Sequence, residues 1–430
     1  VNLLDDILSH EVFPAVGCTE PISCAYACSV AAERLPAPVE RIRLSVDPGT
    51  YKNGAAVTIP NSNGQKGNRI AAALGAVLAR SDLQMEVLKE IAPDVLTRAN
   101  DLLASGRLQY QCRTEEKSLY VEVVVEGGGS RVRCILSEGH GNITCLERDG
   151  QSLLPPSPRS DSAAPDYRDR LRQMPLEDVL REVVCLSPQQ RLHIQRGIEM
   201  NLAMAERGFD LKRTASQLQQ LHSQGLMGDD LFFRVKLKVA SALDARMGGV
   251  PEPVMTSGGS GNQGILTVLL PYLVGLDRKV DLPRIQESIA LSHALNSYVK
   301  RFTGELSVTC GCAIAASIAG AAAIVYQQVG VDMPRITFAV HNVLADLCGI
   351  ICDGAKPGCS MKIVSGADSA MRSAFMALSG YGISAEDGVI GHSAEESIRN
   401  LSRVSLEGMD RVDATVVSIL QDKLVRRGLS

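Results

Sequence analysis

Along the first third of the chain, two periods of apolar residues alternate. An amphipathic opening and a helix from about Pro21 to Arg34 give way to "RIRLSVD" and "GAAVTIP", where apolar side chains recur at every second position as in half-buried strands. The loop "PNSNGQKGN" leads into two helical patterns, Ile70 to Ala79 and Met85 to Ala104. Alternation returns in "LYVEVVVEGGGSRVRCILSEGHGNITCLERDG", which reads as consecutive antiparallel strands with "EGGGS" as a tight turn. Residues 1–153 are therefore expected to form a mixed α+β domain.

From Leu154 to Asp166, "LPPSPRSDSAAPD" breaks both periods, because its four prolines suit neither helix nor sheet, and it is the expected linker. Beyond it the 3.6 period dominates: Leu176 to Val184, Pro188 to Arg207, Ala215 to Gln224, Asp229 to Met247, Leu282 to Lys300, Leu306 to Val329, Ile336 to Ile351, Ser360 to Leu378 and Ala385 to Leu406. Residues 167–430 should form a large all-helical domain, making the whole an α+β protein. The apolar run Cys310 to Val329 reaches the length of a membrane span, but its Ala, Ser and Gly content reads as a buried bundle helix.

Composition narrows the partners. The 44 basic and 48 acidic side chains give a net charge of -4 without long blocks of either sign, so neither a nucleic-acid footprint nor a polybasic membrane surface is present. A small-molecule partner fits better. Aromatic residues are only 4% and Trp is absent, which suits closely packed helices of small side chains and permits a homo-oligomer. Twelve cysteines are many for a chain whose start, "VNLLDDILSHEVFP", is acidic and too short in its apolar part for a secretory signal. Reduced thiols in a cytoplasmic protein are the expectation, and some of them are then candidate ligands.

In "CDGAKPGC", Cys352 closes one helical pattern and Cys359 opens the next, where a helix N-terminus favours a thiolate and Lys356 or Lys362 adds to the field. Two unrelated core thiols would look the same. Cys310 and Cys312, in "LSVTCGCAIAASIAG", are expected on a helix of small residues, and thiolates from separate helices suit an iron–sulfur cluster better than a hard cation. The loop "VMTSGGSGNQG" carries Ser257, Gly258, Gly259, Ser260, Gly261, Asn262 and Gln263 ahead of a helix, and with no GK[ST] it suits a carboxylate better than a nucleotide. In "PAVGCTEP", Thr19 as N-cap would set Cys18 beside a positive helix end, where exposure would lower its pKa. His293 and His392 are scattered, and no HExxH, GxSxG or paired-carboxylate motif supports a hydrolase.

With these residues in view, the chain resembles the L-cysteine desulfidase family, which is related to the alpha chain of iron–sulfur L-serine dehydratases. The resemblance rests on "PAVGCTEPIS", "YKNGAAVTIP", "DARMGG", "GSGNQG", "LSHALNSY", "CDGAKPGCSMK" and "EESIRNL", in that order over most of the chain. It implies a lyase that converts L-cysteine, or alternatively L-serine, to pyruvate and ammonia, with a four-iron, four-sulfur cluster and no pyridoxal phosphate. By matching positions it implies Cys312, Cys352 and Cys359 as cluster ligands and Cys18 as fourth ligand or base; for the base that removes the α-proton, the chemistry leaves Lys362 and His293 as alternatives, since sequence gives no distances. "LSVTCGC" departs from the family by two extra residues, so Cys310 competes with Cys312. A pyridoxal-phosphate lyase with Lys362 as Schiff base and a non-catalytic amino-acid-binding relative are the other readings.

Overall fold

The computed structural model of the chain describes residues 2–154, 166–304 and 306–426. Six strands between residues 41 and 152 form one sheet in the order Leu108–Cys112, Arg41–Val46, Tyr120–Gly127, Ser130–Ser137, Ile143–Arg148, Gln151–Ser152. The expected antiparallel run is present. Gly127 pairs with Ser130, so Gly128 and Gly129, both at positive φ, make the turn alone, as a two-residue hairpin loop requires. Leu108–Cys112, not read from the sequence, runs parallel to Arg41–Val46, with Ile42 opposite Leu108.

That added strand explains one correction. "GAAVTIP" is no strand: Val57 and Ile59 are buried, yet only Thr58 forms a bridge, with Lys66, because Leu108–Cys112 and Tyr120–Gly127 take both edges of Arg41–Val46. Met85 to Ala104 is also not one helix. A 3-10 turn, Ser81–Glu86, precedes the helix Pro93–Ala104, since Pro93 holds Ala92 extended and starts a new helix.

The first long helix, Thr19–Ala32, is buried at every position, packed between the sheet and the helix Asn68–Leu78. Its Ser, Cys and Ala side chains allow that, and a Cβ on Gly75 would stand 2.0 Å from Ala25 O. Its N-cap is Cys18 and not Thr19: the Thr19 hydroxyl donates to Glu20 Oε2 at 3.2 Å instead of capping.

Beyond residue 166 the described chain is helical apart from one short strand, Pro253–Met255. At the centre lies Ala315–Val329, flanked by Gly261–Asp277, Leu282–Thr303, Met333–Leu347 and Cys359–Leu378. This is the run whose length would suit a membrane; here four helices cover it, and among the described residues no helix is long and apolar enough to cross one. It is shorter than the expected Leu306 to Val329, because residues 308–310 are drawn out to pair with 350–352. For the same reason the helix expected to reach Ile351 ends at Leu347. The last expected helix begins at Ala394, where Ser393 Oγ accepts from Glu396 N, and a further helix, Val412–Arg426, follows. The expected linker, 154–166, lies outside the described residues except at its two ends.

Candidate functional site

Three backbone devices gather the site. Pro14–Val16 pairs antiparallel with Pro253–Met255, Val16 opposite Pro253, so the "GCTEP" segment and the glycine turn leave one small ladder side by side. Cys310 N donates to Ile350 O at 2.8 Å and Cys352 N to Val308 O at 2.7 Å, which joins "CGC" to "CDGAKPGC". Gly354, at φ +94°, then lays that loop on the short helix Pro48–Asn53: a Cβ there would stand 2.2 Å from Lys52 O, so only glycine fits.

The result is a cavity of about 70 Å³ walled by Cys18, Cys310, Cys312, Cys352 and Cys359. Three of the sequence-expected thiols do not sit as the helical patterns implied. Cys310 and Cys312 precede their helix in a bridge and a turn, and Cys352 follows its helix in the paired segment. Gly311 between the two thiols lets the Gln263 amide approach: a Cβ there would meet Nε2 at 2.6 Å.

The neighbouring Cys312 thiol, with help from Ala313 N–H and Lys362, favours the Cys310 thiolate and brings it down to about 6 against its burial, while Cys312 is raised. Cys352 is raised by burial, which outweighs Lys52, and burial likewise pushes Cys359 up to about 11 despite Lys356. The helix end at Cys359 therefore does not by itself yield a thiolate. Lys362 is tied to Asp353 and to Ile351 O at 2.7 Å; burial opposes its charge, but Asp353 keeps its pKa raised, so it stays an ammonium outside the cavity lining.

Cys18 is buried, not exposed, and the expected lowering of its pKa is reversed. Burial and then the Glu20 charge raise it, and Sγ donates to Glu20 Oε2 at 2.9 Å. Burial would also raise Glu20, but His140 and the Cys18 hydrogen bond hold it well below the usual carboxylate range. Asn53 Nδ2 donates to Glu20 Oε1 at 2.9 Å, and His140 Nε2 stands 3.8 Å from the same oxygen.

The glycine turn contributes less backbone than expected. The N–H groups of Ser257 and Ser260 bond each other's carbonyls, and Gly259 N donates to Glu11 O. Gly258 and Gly259 take positive φ, with Gly258 O held by Lys300. Of the seven residues, Ser260, Asn262 and Gln263 line the cavity. Gly261 brings the chain against Arg246, whose Nη1 donates to Asn262 Oδ1 at 2.5 Å and whose Nη2 donates to Gly17 O.

His293 lies behind the turn and not in the cavity. Its Nδ1 is 2.9 Å from Ser257 Oγ, which also accepts from Asn296 Nδ2 at 3.1 Å. Burial, then the neighbouring His193, lowers its pKa from 6.5 to about 3. The unfolded chain binds a proton there that the folded chain refuses, so this group's contribution is complete above about pH 6.5 and declines as pH falls toward about 3. Urea unfolding of His293→Gln should show a flatter acid-side loss than the native chain between pH 6.5 and 4, by up to about 1.4 kcal/mol per pH unit. An unchanged slope would mean the histidine is not held neutral.

Three buried polar atoms in this cavity wall have no hydrogen-bond partner: Arg246 Nε, Gln263 Oε1 and His140 Nε2. Each costs about 1–3 kcal/mol unless something fills the space between them. One donor, one acceptor and one imidazole nitrogen suit a ligand bearing both carboxylate and ammonium. For a metal group, no three described His, Cys, Asp or Glu side chains converge tightly enough to hold a single ion. Soft thiols that line the cavity from three separate segments fit a wider iron–sulfur cluster instead. Glu20, Lys52, Arg246, Lys300 and His140 were not singled out from the sequence. Glu20, Lys52 and Arg246 stand inside the quoted motifs "GCTEP", "YKNG" and "DARMGG"; His140 sits in a hairpin with no such signal.

The family model described as serine dehydratase alpha chain matches residues 85–418. A UPF0597 protein of Geobacter sulfurreducens is 49% identical over 98% of this chain and 99% of its own length. Others from Elusimicrobium minutum and Desulfotalea psychrophila are 41% and 36% identical, over 99% and 97% of this chain and 100% and 98% of their own lengths.

Proposed function

Because the chain belongs to the serine dehydratase alpha chain family, we propose that it is an iron–sulfur lyase that eliminates the β-substituent of a small α-amino acid, L-cysteine first and L-serine as the alternative. The observation that carries this is the meeting of five thiols with three unpartnered polar atoms in one cavity. Cys312, Cys352 and Cys359 would hold the four-iron, four-sulfur cluster, with Cys310 competing for the first place. Bound there, the cluster supplies a Lewis acid for the departing sulfur or oxygen.

The chain itself orients the substrate. Arg246 Nε–H and the first turn of Gly261–Asp277 take the carboxylate, and Glu20 with Gln263 Oε1 takes the ammonium. Cys18 is the proton carrier: its thiol proton passes to Glu20 Oε2, the thiolate so formed takes the proton lost from Cα, and Glu20 hands its proton to the departing group, so that both residues end as they began. Its hydrogen bond to Glu20 keeps that proton at hand. The products after hydrolysis are pyruvate, ammonia and hydrogen sulfide. A Schiff-base role for Lys362 is disfavoured by its ties to Asp353 and Ile351 O.

Protein purified without oxygen should contain iron, show sulfide-to-iron absorption, and release sulfide and pyruvate in equal amounts from L-cysteine. Parallel assay with L-serine, giving pyruvate alone, ranks the two substrates. A colourless, iron-free anaerobic preparation that releases nothing from either amino acid would leave only a binding role.

A further inference from the structure

On the far side of His140 lies a second, larger cavity of about 1050 Å³, an open basin bordered by Phe13, Glu86, Glu138, Arg168 and Arg196. His140 is the one described residue that lines both this basin and the thiol chamber. It is carried there by the hairpin between Ser130–Ser137 and Ile143–Arg148, whose neck is closed by Ser137 N donating to Asn142 O at 3.2 Å and Asn142 Nδ2 donating to Ser137 O at 3.0 Å.

The backbone at this point is held by a hydrogen bond, the ring only by the longer-range attraction of Glu20. Ser23 Oγ donates to His140 O at 2.8 Å. The imidazole, only 5% exposed, has no hydrogen bond at Nε2, and its nearest acid, Glu20, is 3.8 Å away. Gly259 lies against the ring: a Cβ there would stand 3.3 Å from His140 Nδ1, so the side-chain-free turn keeps that flank of the imidazole clear. Next to it, Gly141 has open space where its Cβ would be. A buried ring without a hydrogen bond, hinged on an anchored backbone between two cavities, is built to turn aside.

We propose that His140 is the gate between basin and chamber, sized to pass a small α-amino acid and its products and to exclude larger molecules. The choice of an amino acid rests on the function proposed above; the gate itself does not. Labelling separates the two. In anaerobically purified protein, the rates of modification at Cys18 and Cys310 by N-ethylmaleimide and by fluorescein maleimide are compared by peptide mass spectrometry, with the exposed Cys185 as internal reference. Because both reagents attack the same sulfur, the ratio of their rates cancels any change in thiol acidity and reports size exclusion alone.

His140→Ala should lower the small-to-bulky ratio at the chamber thiols about tenfold, and His140→Phe should raise it, while Cys185 stays constant. His140→Gln, close in size and polar, should stay near the native ratio and shows that the hairpin still folds. Ratios unchanged in both Ala and Phe variants would overturn the gate. A shifted ratio in a protein that eliminates neither sulfide nor water would leave the gate standing and remove the proposed reaction.

Discussion

Cys352→Ala is expected to lose iron and elimination activity together, the activity falling at least about a thousandfold. Among the thiols it offers the cleanest test, because its sulfur makes little else: the Cys352 Sγ to Asn53 Oδ1 contact is 3.9 Å, and the side chain is only partly buried. Its position is set by backbone, Cys352 N to Val308 O, which alanine preserves. The variant should therefore keep the native helical circular dichroism while iron falls to background. Loss of activity with iron retained would assign Cys352 elsewhere. The same count on Cys310→Ala and Cys312→Ala decides the third arm: the ligand's removal strips iron, whereas its neighbour's removal leaves the metal in place.

The second large effect is expected at Arg246. Arg246→Lys keeps a positive charge but loses the unpartnered Nε–H and the planar fork that reaches Asn262 Oδ1 and Gly17 O. A charge-assisted hydrogen bond to a buried carboxylate is worth about 1.5–3 kcal/mol, so kcat/KM for L-cysteine should fall roughly 10- to 150-fold. Iron content should not change, since Arg246 is not a thiol ligand. If substrate saturation and turnover are both native in the lysine variant, the carboxylate is held elsewhere. Reading KM and kcat separately shows whether Arg246 acts equally on bound substrate and on the reaction barrier.

Much of the fold was legible where a period was sustained. Pro188–Arg207 matches its pattern at both ends, because Ser187 and Gln190 form a capping box readable as "SPQQ". The Tyr120–Arg148 strands were equally plain from alternation and a Gly-Gly turn. Misreadings fell where an apolar run served a different neighbour. "LSVTCGC" has helical composition, yet long-range pairing with residues 350–352 draws it out and shortens the helices on both sides. "GAAVTIP" alternates, but alternation records burial and cannot say whether a strand lies alongside.

The sequence by itself determined the inventory: the thiols, the glycine turn, the "GCTEP" segment, and a small-residue helix set able to pack around them. Those follow from residue types and local periods. Tertiary structure decided which of them face one another. Lys362 and His293 lie near in motif but behind the wall, whereas Glu20, Arg246 and His140 enter through a ladder, a helix and a hairpin far apart in the chain. It also decided protonation, since burial overrides a helix end: Cys18 and Cys359, both at helix starts, are held as thiols. Desolvation depends on everything packed around a sulfur, and no local stretch of sequence contains that.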